Sequence, residues 1–467
     1  MALLWVLASC GFQSYRASPI DPSGTAARFL DRSPADPKFQ QFMVDAGYPE
    51  TSLPISAWDQ DSLVLAALFF NPQLDIARAQ WKAASANQIT ARQRPLPGVS
   101  IDTEKHSQSD NGVSPWTYGL AIDLPLETGG KRQARIDRAT SLSEAARIEI
   151  AQSAWQVRAK AIASLIAYRH AYHLAEIYRQ EVSLREAIVS MLEKRFSAGM
   201  VSNIELSTAR ILLQQSRQQL IVEQGRLPVA VAELAASIGL PISALQSLDL
   251  TSTLDQASTE TFELDNDRQK ALQEAAMLNR LDIRAALSRY AAAEAKLRLE
   301  IARQYPDTTL SPGYSYDQGD RIWSLGISSL ITMIHGNKGL IAEAEALRSL
   351  EAAQFEVLQA NIVTEIEKNE ASYQSALTQL EKSRQLEQET FHRSARISRQ
   401  FDLGQVDRLE LVTTQLENLL AQKNRLVARY QYELTYAALE NTLQQPLEYE
   451  AKSFISSSHL ETSVRKE

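Results

Sequence analysis

Two stretches of this chain, 131–198 and 340–403, contain neither glycine nor proline. Few folds accommodate so long a run without a residue that readily turns or stops the backbone. In the first, apolar or small residues recur at steps of three and four: Ala154, Val157, Ala161, Leu165, Tyr168, Tyr172, Ala175, Tyr178 and Val182. Phe355, Leu358, Ile362, Ile366, Tyr373, Leu377 and Leu380 mark the second. This is the stripe of an amphipathic helix. At 1.5 Å per residue each stretch predicts a helix about 100 Å long.

Both helices are expected to end at a glycine followed by the same phrase. "RFSAGMVSNIEL" at 195–206 returns as "RQFDLGQVDRLEL" at 399–411. Phe196, Gly199, Glu205 and Leu206 match Phe401, Gly404, Glu410 and Leu411 at one offset of 205 residues. Gly199 and Gly404 fit the left-handed position that closes a helix. Ser202 and Asp407 can cap antiparallel return helices, with Glu205 and Glu410 at the third helical position of a capping box. The first return is expected to reach about Leu227, where Gly225 and Pro228 interrupt it, before a further helical stretch ending near "SIGLP" at 237–241. The second return is expected to run to Gln445, before Pro446.

The repeat extends upstream. Leu74, Asp75 and Ile76 correspond to Leu281, Asp282 and Ile283 at an offset of 207, and the helices that hold them are bounded by Pro95 and Pro306. Alternating segments follow each proline. Trp116, Tyr118, Leu120, Ile122 and Leu124 fall on one face of a strand, as do Trp323, Leu325 and Ile327 of another. These segments have about 9–11 residues, the length of a tilted strand crossing a hydrocarbon core. Polar links, "SQSDNGVSP" and "DQGD", make each pair a hairpin. Each hairpin hands over to a long helix at "TGGKRQARIDRA" or "HGNKGLIAEAEA". The unit of helix, strand hairpin, long helix, tight turn and return helix is therefore used twice, an internal duplication.

No apolar run approaches the roughly 20 residues of a spanning helix. Four strands cannot close a barrel, since the smallest single-chain outer-membrane barrels have about 8. An open sheet in lipid would leave backbone groups unpaired. Such a chain must assemble around an axis; two copies would give a narrow filled barrel, three a twelve-stranded one with a lumen. The net charge of −8 and the lack of a basic block argue against a nucleic-acid partner. With one cysteine, no intrachain disulfide can form. That residue, Cys10, follows "LLWVLAS", as in a bacterial lipoprotein cleavage box. The apolar run is short and no Lys or Arg precedes it, so lipidation at Cys10 and an ordinary thiol both stay open.

The paired turns, the paired strand hairpins and "LPLETGGKRQARIDRA" resemble the TolC-like outer-membrane efflux family across residues 60–445, and most of all its heavy-metal, CzcC-like branch. The resemblance implies a mixed α and β membrane protein: a homotrimer whose twelve-stranded outer-membrane β-barrel, four strands per chain, continues into a long periplasmic α-helical coiled-coil barrel. It implies a passive duct, not an enzyme, working with a periplasmic adaptor and an inner-membrane pump of the resistance-nodulation-division type. Ala198, Gly199, Met200, Leu403, Gly404 and Gln405 become adaptor-docking tips. Glu410, with Asp407 and Glu205 beside it, falls where acidic residues ring the closed pore; Thr413 stands where a further carboxylate often sits. Acylation at Cys10, in outer-membrane lipid, is implied as well. The capping reading of Glu205 and Glu410 stands beside the pore reading, and the two can coexist.

The expected divisions are a signal over 1–10, an extension over 11–60, and a first repeat over 61–250. That repeat holds strands at 98–105 and 116–124 and a long hairpin over 131–227. A linker over 251–266 leads to a second repeat over 267–445, with strands at 309–316 and 321–331 and a hairpin over 340–445; a tail covers 446–467. His170 and His173, three apart on a helix, lack an evident third metal ligand. "TGGK" at 128–131 lacks the spacing of a phosphate loop. No catalytic constellation, metal site or cofactor is predicted. A periplasmic coiled-coil scaffold would explain the long helices but not the aromatic strand segments that interrupt them at matched points.

Overall fold

The computed structural model describes residues 13–49, 53, 55, 57–107, 112–255, 266–329 and 336–447. Short N-terminal helices α1 (Pro22–Leu30), α2 (Pro37–Asp45) and α3 (Gln60–Phe70) precede α4 (Pro72–Arg92). Strands β1 (Gly98–Lys105) and β2 (Trp116–Leu126) lead to α5 (Lys131–Ser197) and its return α6 (Asn203–Ile238). Then come α7 (Ile242–Gln246), α8 (Thr251–Asp255), α9 (Asn266–Asn279) and α10 (Leu281–Ala302). Strands β3 (Thr308–Asp317) and β4 (Asp320–Ser329), then α11 (Lys338–Asp402) and α12 (Arg408–Leu443), complete the second unit. Of the expected linker over 251–266, residues 251–255 form helix α8 and Asn266 opens α9, while 256–265, the expected strand end at 330–331 and the tail from 448 lie outside the described residues.

The long helices run uninterrupted for 67 and 65 residues. Both end in the same closure. Gly199 (φ 72°) donates to the Phe196 carbonyl at 2.9 Å and Met200 to that of Arg195 at 2.9 Å. Gly404 (φ 71°) donates to Phe401 at 2.9 Å and Gln405 to Gln400 at 2.8 Å. These paired bonds satisfy carbonyls that the last helical turn leaves free.

The first return helix departs from expectation. It does not stop at Leu227 but passes through Gly225 and Pro228 and ends at Gly239. Proline removes one amide donor and crowds the preceding turn. Gln224, Gly225 and Pro228 are all exposed, so the freed carbonyl lies on the water side while Glu223 and Ala230 keep the buried side packed. The second return ends at Leu443, two residues short of the expected Gln445.

Both strand hairpins belong to one antiparallel sheet of order β1-β2-β3-β4. Tyr118 pairs with Tyr316 and Leu120 with Tyr314, joining the halves across the whole length of α5 and α6. Beneath the sheet, α5 packs against α4, α6, α10 and α12, and α11 against α10 and α12. One core gathers Phe39, Trp58, Phe70, Leu165 and Leu234; a second gathers Ile366, Tyr373, Tyr432 and Leu439. A small third cluster of Val189, Leu192, Leu206 and Leu213 lies toward the turns.

Candidate functional site

The sheet has two unlike faces. Strand register places Ile101 beside Leu120, Leu120 beside Tyr314 and Tyr314 beside Trp323. Val99, Trp116, Tyr118, Ile122, Leu124, Leu310, Leu325 and Ile327 share that face, because side chains alternate along a strand. Much of this apolar surface is uncovered: Trp323 is 81% exposed, Leu325 and Ile327 68%. Water would not support so broad an apolar face on a lone sheet, whereas lipid would. At one end stand Lys105 and Arg321, with the Lys105 ammonium over the Trp116 ring at 5.5 Å. Such mixed aromatic and cationic ends suit a membrane–water boundary.

The opposite face is small and polar: Ser100, Asp102, Glu104, Thr117, Gly119, Asp123, Ser311, Gly313, Ser315 and Asp317. It carries five carboxylates, Asp102, Glu104, Asp123, Asp317 and Asp320, and, within the four strands, no Lys or Arg. Thr117 donates to Asp317 at 2.5 Å and Ser311 to Asp123 at 2.5 Å, both across the seam between the halves. Strands β1 and β4 each have a neighbour on one side only.

"TGGK" serves as the joint between sheet and helices. Gly129 (φ 68°) and Gly130 (φ 77°) turn the chain into α5. A Cβ on Gly129 would stand 3.0 Å from the Ala302 carbonyl. The buried Lys131 ammonium reaches the Tyr305 carbonyl and the Asp307 carboxylate, both at 2.7 Å, tying the first half to the second.

At the far end the two turns stand side by side. Arg195 pairs with Asp407 at 2.6 Å, and Leu409 packs on the small third cluster. Asp407 also accepts the Glu410 amide at 2.9 Å, and Ser202 that of Glu205 at 3.2 Å, so Ser202 and Asp407 cap as expected, while the glutamate side chains do not return the bond that would complete a capping box. The Glu410 amide chiefly, and then the Arg195 guanidinium, hold the Asp407 carboxyl below its ordinary range. Glu205 and Glu410 are exposed, as are Ala198, Gly199, Gly404 and Gln405. Met200 and Leu403 are exposed apolar residues at the two tips, 68% and 72%. Cys10 lies outside the described residues.

Sequence reasoning missed the ties between the hairpins. Glu181 on α5 is buried and accepts Arg185 at 2.8 Å, Ser216 of α6 at 2.8 Å and Lys423 of α12 at 3.4 Å. Burial pushes this carboxyl up, but those donors outweigh it and leave it below its ordinary range. Arg158–Glu440 at 3.2 Å and Arg169–Glu433 at 2.8 Å repeat the α5–α12 connection. No sequence signal marks partners so far apart.

His170 and His173 make no metal centre. Glu433 borders the same cavity, but two arginines occupy it, and the His173 Nε2 lies 3.3 Å from the Leu254 carbonyl. Among the described residues no three His, Cys, Asp or Glu are grouped to hold a metal ion, and no helix is long and apolar enough to cross a membrane.

Comparison with known proteins agrees with this architecture. Residues 63–240 match the outer membrane efflux protein family. The cobalt-zinc-cadmium resistance protein CzcC of Cupriavidus metallidurans is 24% identical over 348 residues, covering 72% of this chain and 77% of that protein. The outer-membrane channel OprN superposes with a TM-score of 0.67 at 20% identity, over 93% of this chain and 98% of OprN. The outer membrane protein VceC of Vibrio cholerae gives 0.65 at 22% identity, over 83% and 97%. With the matched domain, the duplicated helical hairpins and the two-faced sheet in one molecule, residues 63–240 carry an outer membrane efflux protein domain and the chain has the fold of the outer-membrane channels it superposes on.

Proposed function

We propose that this protein is the outer-membrane exit duct of a tripartite efflux system, conducting exported substrate passively. The observation that carries this reading is the sheet: four strands with an uncovered apolar face, a polar face and open edges, at the end of helices about 100 Å long. Three copies would supply twelve strands, join β4 of one chain to β1 of the next and leave no edge in lipid. The polar face then lines the passage. The helices project into the periplasm, where the tips at Ala198–Met200 and Leu403–Gln405 meet an adaptor protein coupled to a pump of the resistance-nodulation-division type. Met200 and Leu403 supply apolar contact there. Acylation of Cys10 would add a lipid anchor.

Heavy-metal cations are the favoured cargo. The passage-facing carboxylates Asp102, Glu104, Asp123, Asp317 and Asp320 would raise the local cation concentration. The relative CzcC is a cobalt-zinc-cadmium resistance protein. A ring of three Glu410 side chains would add to this at the narrow end.

Single-channel recording in planar bilayers tests the reading. The purified protein should give discrete, cation-preferring conductance. Glu410→Gln should reduce the preference more than Glu205→Gln, since both stand at the third position of a return helix but only Glu410 is assigned to the pore. Equal effects would remove Glu410 from the pore. Absence of conductance, with extraction that needs no detergent, would leave the periplasmic scaffold.

A further inference from the structure

Where α5 crosses α12, a cavity of about 40 Å³ opens among Arg169, His170, His173, Arg429, Tyr430 and Glu433. Glu433 is shared: Arg169 donates to its Oε2 at 2.8 Å and Arg429 Nε to its Oε1 at 2.9 Å. Two guanidiniums on one carboxylate leave one positive charge in excess. Glu223 and Arg226 of α6 also face His170, but they pair at 3.0 Å and offset each other. The His170 ring stacks on Tyr430, centroids 4.1 Å apart and 14° from parallel. Burial holds this imidazole below its ordinary range, so the ring is neutral near pH 7.

Two nitrogens bordering the cavity are buried without a hydrogen-bond partner in the protein: Nδ1 of His170 and Nη2 of Arg429. The second is a guanidinium donor that cannot deprotonate. The first becomes a donor in the Nδ1–H tautomer. Unfilled donors of this kind are costly where water is excluded. The space exceeds the roughly 10–15 Å³ that one water-sized body needs and has room for a single small ion. Two guanidiniums repel a cation.

We propose that this cavity binds one small inorganic anion of halide size, held by Arg429 Nη2 and His170 Nδ1–H. The anion fills both donors, balances the excess charge and braces the first helical hairpin against the second. It is a structural site inside the helix layer, separate from whatever passes through the duct.

The test uses the full-length protein in detergent. Thermal unfolding is followed in sodium bromide, sodium chloride and sodium gluconate at equal ionic strength. Both halides should raise the midpoint by about 1–2 °C over gluconate. Crystals grown in bromide should show an anomalous peak within hydrogen-bond distance of Arg429 Nη2. His170→Phe keeps a ring against Tyr430 and removes the donor, so it should abolish the halide-specific rise. A water with no anomalous signal in the native cavity overturns the proposal, as does a halide effect undiminished in His170→Phe. Should that variant fail to fold, the bromide map of the native protein decides alone.

Discussion

Asp407 does two jobs at one turn. It caps α12 through the Glu410 amide and reaches across to Arg195 at the end of α5. Both partners favour the charged carboxylate, so its folded-state pKa lies below the unfolded one. The contribution is therefore complete above the ordinary aspartate range and is lost as pH falls through the depressed value. Amide hydrogen exchange at Glu410 and Leu411, both bonded to Asp407, should stay slow from about pH 8 to about pH 5, after correction for intrinsic rates, and protection should fall below about pH 4. A double-mutant cycle of Arg195→Gln and Asp407→Asn should give a small coupling, about 0.2–1 kcal/mol, because the pair is largely exposed. Unchanged protection in acid would show that the tips do not lean on this carboxylate.

The helical hairpins owe their sharp ends to single glycines. Gly404 has φ 71° and open space where a Cβ would go, so substitution there meets backbone strain without a clash. Gly404→Ala should cost about 1 kcal/mol and raise exchange at the ends of α11 and α12, while leaving the sheet unchanged. No change in local exchange would mean the turn is held by its neighbours instead. These turns were legible because glycine, a capping side chain and the end of a long apolar stripe coincide at 199–205 and again at 404–410. The strands were legible from their alternation. Pro228 misled because its position on the exposed side of α6 depends on how the helix packs, and that is not written locally. The Tyr118–Tyr316 register, the Glu181 knot and the Arg195–Asp407 tie were equally hidden, since each joins segments brought together only by the complete fold.

For the proposed duct as a whole, the decisive property is which sheet face meets lipid. Leu325→Lys puts a charge on the apolar face, where such a change costs about 2–4 kcal/mol near the bilayer centre. Ser328→Lys puts the same charge on the polar face. Outer-membrane fractions should lose heat-modifiable oligomer with the first variant and retain it with the second. The reverse result would turn the barrel inside out. The open edges of β1 and β4 carry a different implication. If three chains build one wall, as proposed, a cell holding one intact and one defective allele would build mixed particles. With chains drawn at random from equal pools, only about one-eighth of particles would then be wholly intact. On that assembly a damaged strand would act dominantly, and export would fall much further than gene dosage alone would suggest.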